Sequence, residues 1–73
     1  GNYYAMAYLG KLFLEGSTHF KQDNSTALRY FKMAADKGNP IGQAGMGQMY
    51  FYGSGIERDY SKALKFFQLS ADQ

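Results

Sequence analysis

The sequence predicts an all-α protein: an α-solenoid of two helix–turn–helix repeats, four antiparallel helices and no strand. Three observations carry this reading. The stretch TALRYFKMAADK at 26–37 returns in close variation as KALKFFQLSADQ at 62–73. The earlier part of each half also repeats: a shift of 37 residues lays Gly1-Asn2 on Gly38-Asn39, Ala7 on Ala44, Gly10 on Gly47 and Gly16-Ser17 on Gly53-Ser54. Within each half, apolar residues recur at helical rather than strand spacing.

The first helix is marked by Met6, Leu9, Gly10 and Phe13, at i, i+3, i+4 and i+7. Gly16 follows its last periodic residue, where a C′ position favours glycine. Past it the repeat shift falls from 37 to 36, so the first copy holds one extra residue between Ser17 and Phe20. An insertion of that kind belongs in a loop, which places the turn. Asp23 is an N-cap for the second helix, which carries Ala27, Phe31 and Ala34 on one face. Asn39-Pro40 then opens a third helix, cap followed by proline at the first helical position. Its stripe is Gln43, Met46, Gly47 and Tyr50, and Gly53 ends it. Asp59 caps the fourth helix, with Ala63, Phe67 and Ser70 on one face. The units are therefore 1–37 and 38–73, with Met6, Met33, Met46 and Met49 expected as core filling.

Gly10 and Gly47 fall in mid-helix, where glycine costs ~1 kcal/mol relative to alanine. A close helix crossing would justify them, with rings from Tyr30-Phe31 and Phe66-Phe67 approaching the bare backbone. Gly42 and Gly45 lower the third helix's intrinsic propensity further, so its helicity must come from packing on neighbours.

Composition narrows the function. A chain of 73 residues holds one small domain, and its 45% hydrophobic content is enough for a folded core. The net charge of +2 is mild and its acids are interspersed among the bases, which argues against nucleic acid as partner. There is no cysteine, hence no disulfide, thiol chemistry or cysteine-based zinc site. No apolar run approaches the ~20 residues of a membrane span, so direct membrane insertion is not expected. The opening GNYYAMAYLG lacks the pattern of a signal peptide and starts in mid-motif, like a piece of a longer protein.

His19, the single histidine, sits in the variable loop with no convergent partners and reads as a solvated residue. The GSG at 53–55 lacks the flanks of a phosphate loop and reads as a helix-ending turn. Arg29, Lys32, Lys62 and Lys65 lie on the outward sides of the second helices, a solvated face. No enzyme activity, metal site or cofactor is expected.

These residues resemble the Sel-1-like repeat, a branch of the tetratricopeptide superfamily. The second unit carries Gly47, Tyr50, Gly53, Gly55, Ile56, Asp59, Lys62-Ala63, Phe66-Phe67 and Ala71 of that pattern. The first carries Leu9-Gly10, Phe13, Gly16, Ala27, Tyr30-Phe31, Ala34-Ala35 and Gly38. It departs in the loop, where Thr18 replaces the second glycine and Phe20 stands at the Ile56 position. The resemblance implies a non-catalytic protein–protein interaction scaffold whose first helices line a concave groove. On that side Tyr4, Tyr8, Lys11 and Glu15 form one stripe and Ile41, Gly45, Gln48 and Tyr52 its counterpart, with Leu14 and Phe51 beside them. Tyr4, Tyr8, Lys11, Leu14, Gln48, Phe51 and Tyr52 are the expected partner-binding residues, tyrosine offering large contact at low entropic cost.

AMAYLGKLFLEGS, NSTALRYFKMAADKGNPIGQAGMG and YFYGSG are similar to luminal repeats of one adaptor branch of the family. That branch links clients or lectins to a membrane ubiquitin ligase in endoplasmic-reticulum-associated degradation. The likeness implies ubiquitin-ligase components as partners and the endoplasmic reticulum lumen as compartment. Asn24-Ser25-Thr26 agrees, being an acceptor triplet for an N-glycan on Asn24. The alternatives are an RNA-binding helical-repeat module of ~35-residue period and a bacterial Sel-1-like scaffold. Both ends read as apolar, Tyr3, Tyr4 and Met6 at one and Phe66, Phe67 and Leu69 at the other. They are expected to meet neighbouring repeats of the parent chain or, in isolation, other copies of the fragment.

Overall fold

Asn2, Asp23, Asn39 and Asp59 each have extended backbone and a side-chain oxygen that accepts an amide proton from the first turn of a helix. They open the four helices of the computed structural model, which describes residues 2–73. The pairing of Gly1 with Gly38 lies outside that range. The helices are α1 (Tyr3–Glu15), α2 (Asn24–Asp36), α3 (Pro40–Tyr52) and α4 (Tyr60–Ala71), with no strand among the described residues.

Both hairpins turn on a glycine, but only Gly53, at ψ 38°, takes the left-handed helical conformation expected of a C′ glycine; Gly16, at ψ 158°, does not. Gly16 and Gly53 follow α1 and α3 at φ 78° and 70°, a region costly for side chains with a Cβ. Each linker then returns along its own helix: the Asp23 amide donates to the Phe13 carbonyl at 2.9 Å and the Asp59 amide to the Tyr50 carbonyl at 3.0 Å. The linkers span 16–23 and 53–59, the first one residue longer. Its tip is closed by the Ser17 amide donating to the Phe20 carbonyl and the Phe20 amide to the Ser17 hydroxyl. Phe20 sets its ring edge on Phe13, centroids 5.0 Å apart.

Ring stacking joins the helices of each hairpin, Phe13 on Tyr30 at 5.9 Å and Tyr50 on Phe66 at 5.8 Å. Glycine makes the second contact. A Cβ built on Gly10 would lie 2.9 Å from the Phe31 ring, and one on Gly47 would lie 2.8 Å from Phe67. Each expected aromatic pair therefore divides its labour: Tyr30 and Phe66 stack, while Phe31 and Phe67 approach bare backbone.

The hairpins meet where α3 lies across α2, and α1 also touches α3. α2 and α4 make no such approach to one another, so α1 and α3 are the inner pair and α2 and α4 the outer. The core sits at this junction: Ala27, Phe31, Met46 and Met49 are buried, with Phe13, Leu14, Leu28, Tyr50, Ile56 and Phe66 packed around them. Met33 corrects its assignment to the core. It is 44% exposed, because the side of α2 that carries it with Arg29 has no helix beyond it.

Candidate protein-docking face

The expected docking residues fall into three separate regions. Between α1 and α3 lies a hollow of about 180 Å3, lined by Lys11, Leu14, Phe31, Ile41, Ala44, Gly45 and Gln48. At its base Gly45 lies directly on the buried Phe31 ring, which a Cβ at that position would enter. Leu14 and Ile41 form apolar walls, and the exposed Lys11 and Gln48 form a polar rim. An apolar side chain fits such a hollow, with Lys11 and Gln48 free to meet carbonyl or carboxylate oxygens of the segment that bears it.

The second region is aromatic. Phe51 packs edge-on against Tyr52 at 5.0 Å and lies tilted against Tyr60 at 5.3 Å, and the Arg58 guanidinium lies 5.3 Å from the Tyr60 ring centre. Phe51, Tyr52 and Tyr60 are all exposed. The third region is the row Tyr4 and Tyr8, one helical turn apart on α1 and both exposed.

Of the seven expected docking residues, the fold brings Lys11, Leu14 and Gln48 together. Phe51 and Tyr52 join a separate cluster, and Tyr4 and Tyr8 stand apart on α1. Tyr60 was not anticipated. Its sequence signal is its place directly after the Asp59 cap, where the start of α4 comes beside the end of α3. A wider concavity of about 580 Å3 lies at the opposite end of the hairpins, among Tyr3, Tyr4, Gly38, Pro40 and Gln73. It is an open notch between helix ends whose capping side chains already accept the first-turn amides.

Asn24 is the first residue of α2, and its side-chain oxygen is enclosed without a hydrogen-bond partner. Gly55 accounts for the enclosure, since a Cβ there would lie 2.9 Å from the Asn24 Cβ. The second hairpin's loop thus lies over the acceptor triplet. Thr26 of that triplet donates its hydroxyl to the Asp23 carboxylate at 2.8 Å. That bond, followed by the Thr26 amide, holds the Asp23 carboxyl below its ordinary value. His19 is exposed in the first linker, and the described residues contain no cluster of His, Asp and Glu with metal-binding geometry. Among the described residues no helix is long and apolar enough to cross a membrane.

Comparison with known proteins agrees with the repeat architecture. The Sel1 repeat family matches twice, over residues 4–39 and 40–73. The ERAD-associated E3 ubiquitin-protein ligase component HRD3B of Arabidopsis thaliana is 34% identical over 55 residues, 75% of this chain and 9% of that protein. The crystal structure of a Sel1 repeat protein from Oxalobacter formigenes superposes with a TM-score of 0.90 at 33% identity, covering 99% of this chain and 29% of that one. The chain thus spans a small part of each relative.

Proposed function

The chain belongs to the Sel1 repeat family, and on that premise we propose that its inner face docks an extended segment of another protein. The observation that carries this is the hollow over Phe31, apolar at its floor and walls and polar at its rim. The exposed rings of Tyr4, Tyr8, Phe51 and Tyr52 continue the face on both sides. Rigid aromatic surface beside a shallow apolar hollow is the composition of protein interfaces rather than of reaction sites. The activity is scaffolding, without catalysis or cofactor.

The parent protein is read as an adaptor of endoplasmic-reticulum-associated degradation, joining clients or lectins to a membrane ubiquitin ligase. Support comes from the HRD3B relative, named as a component of an ERAD-associated E3 ubiquitin-protein ligase, and from the Asn24 triplet. In this reading the repeats lie in the lumen and Asn24 carries a glycan through its amide nitrogen, while the amide oxygen stays under the loop at Gly55. Glycosidase treatment of the parent made in a secretory cell should shift its gel band, and Asn24→Gln should abolish the part of the shift due to this site. A band unaffected by Asn24→Gln removes the glycan from the reading.

Photo-crosslinkers test the docking face. Placed at Tyr8, Gln48 or Tyr52 of the full-length parent, they should capture ligase components or clients. Placed at Lys65, on the outer helix, they should not. Equal capture from both faces would sink the assignment of the inner side.

A further inference from the structure

The hollow between α1 and α3 is chemically lopsided. Lys11 and Gln48 stand at the same distance along their helices from the caps Asn2 and Asn39. One presents a cation and the other an uncharged amide, so the two rims of the hollow read different groups. Lys11 is also the one charged side chain that lines it. α3 carries no charge, and α1 carries only Glu15 besides Lys11. Glu15 lies one turn further on, in the lysine-before-glutamate order that makes the weaker helix pair. It therefore competes poorly for the ammonium.

At about 180 Å3 the hollow is smaller than the roughly 300–1,000 Å3 of small-molecule sites, and it suits one side chain. Leu14, Ile41 and Ala44 offer that side chain no hydrogen-bond partner, so a polar atom seated among them would be left unpaired. An aliphatic group meets this condition. α1 and α3 touch, and packed helices lie roughly 8–10 Å apart, which puts the hollow about half that distance from either axis. Along an extended chain, side chains on one side recur every second residue, about 7 Å apart. A chain laid across both helices with an aliphatic side chain in the hollow thus carries its next same-side residue over α1. That residue comes within reach of Lys11. Gln48 then faces the segment's backbone at the other rim, where its amide both donates and accepts.

We propose that the hollow selects an acidic, aliphatic segment of another protein, in which a leucine-type side chain and a carboxylate are separated by one residue. Lys11 meets the carboxylate. This rests on the inner-face reading and adds to it the charge, the spacing and the rim that reads each group.

Short dye-labelled peptides test it by fluorescence anisotropy on the full-length parent. Their centre is Glu-Ser-Leu-Ser-Glu in a Gly-Ser background, which offers a carboxylate at the stated spacing in either chain direction. Gln in place of both acids should weaken binding by about two- to fivefold, the range for an exposed ion pair. Lys there should weaken it more. Moving the acids beside the leucine, as Ser-Glu-Leu-Glu-Ser, should weaken it as Gln does, because adjacent side chains point to the other face. Ser in place of the leucine should cost about tenfold or more. Lys11→Glu should invert the order, so that the Lys peptide binds best; Lys11 is exposed, and the fold tolerates the change. Lys65→Glu, on the outer helix, makes the same change in net charge and should leave the order as it is. An order that Lys11→Glu fails to invert overturns the proposal, and so does one that Lys65→Glu inverts equally. Ala44→Phe, which fills the hollow, separates this failure from failure of the inner-face reading. Charge-blind binding that is lost in Ala44→Phe overturns the acidic preference and leaves the hollow as a docking site. Binding unchanged by Ala44→Phe, or absent from every peptide, overturns the hollow itself.

Discussion

Phe31 and Phe67 occupy one position of the repeat and differ in a single respect. Each ring lies on a glycine of its own hairpin, Gly10 or Gly47. Phe31 has a second glycine, Gly45, on its far side and is 2% exposed; Phe67 has none and is 39% exposed. One hairpin therefore leaves 39% of a phenylalanine exposed, and the next hairpin covers nearly all of that remainder. The same contrast holds along the row, from Leu28 against Leu64 to Ala34 against Ser70. In this fold the unit that completes a core is the junction, not the hairpin.

The largest expected effect breaks the contrast directly. Phe31→Ala should cost ~3–5 kcal/mol, the range for a fully buried aromatic. Phe67→Ala should cost about 1–2 kcal/mol, since less apolar area leaves water there on folding. Urea denaturation of both variants decides it. Equal losses would mean that the far face of Phe31 contributes nothing.

Glycine substitutions sharpen the contrast at the next level. Gly45→Leu should destabilise by about 1–3 kcal/mol, because Phe31 is enclosed and cannot yield. Gly47→Leu should cost less, since Phe67 can turn toward solvent, although the Ala63 carbonyl 3.2 Å from a Cβ there sets a floor on that cost. Lys65→Leu, on the exposed side of α4, should stay within about 0.5 kcal/mol. Thermal melts ranking the three otherwise would contradict the assigned crossings.

Caps are the next smaller step. Asn39 is buried at the hairpin junction and accepts from both the Ile41 and Gly42 amides at 3.0 Å, whereas exposed Asn2 accepts from Ala5 alone. Asn39→Ala should cost about 1–2 kcal/mol and Asn2→Ala roughly 0.5 kcal/mol. Similar shifts in melting temperature would show that burial adds nothing to this cap.

The smallest effect is electrostatic. Asp23 has a lowered pKa because the ionised carboxylate accepts from the Thr26 hydroxyl first and the Thr26 amide second. A lowered folded-state value stabilises above the unfolded pKa and is lost as pH falls through the folded one, so the α2 cap weakens below about pH 4. Thr26→Val should bring the Asp23 titration, followed by NMR, back toward its ordinary range. An unmoved titration would exclude the hydroxyl as the cause.

Much of this architecture is local in origin and was legible as such. Asp23, Asn39 and Asp59 name helix starts because a short polar side chain reaches only its own first turn. Gly53 names a helix end because its backbone conformation excludes a Cβ. The duplicated segment named the repeat, and Gly10 and Gly47 named the crossing within each hairpin. What sequence spacing could not supply is which surfaces the hairpins share. Met33 and Met46 look alike in sequence, yet one is exposed and the other is core, because α3 lies on only one side of α2. The seven expected docking residues separate into three regions because the angle between hairpins, absent from any local pattern, decides which side chains converge. Asn24 reads as a glycan acceptor, and what its sequence context could not supply is that a distant loop, at Gly55, lies against its side chain. The sequence by itself determined the four helices, three of their caps and their pairing, since those depend on contacts within a few turns. Only the tertiary structure decided that Phe31 is sealed while Phe67 is open, because sealing requires a second hairpin's backbone and depends on whether that backbone carries a Cβ.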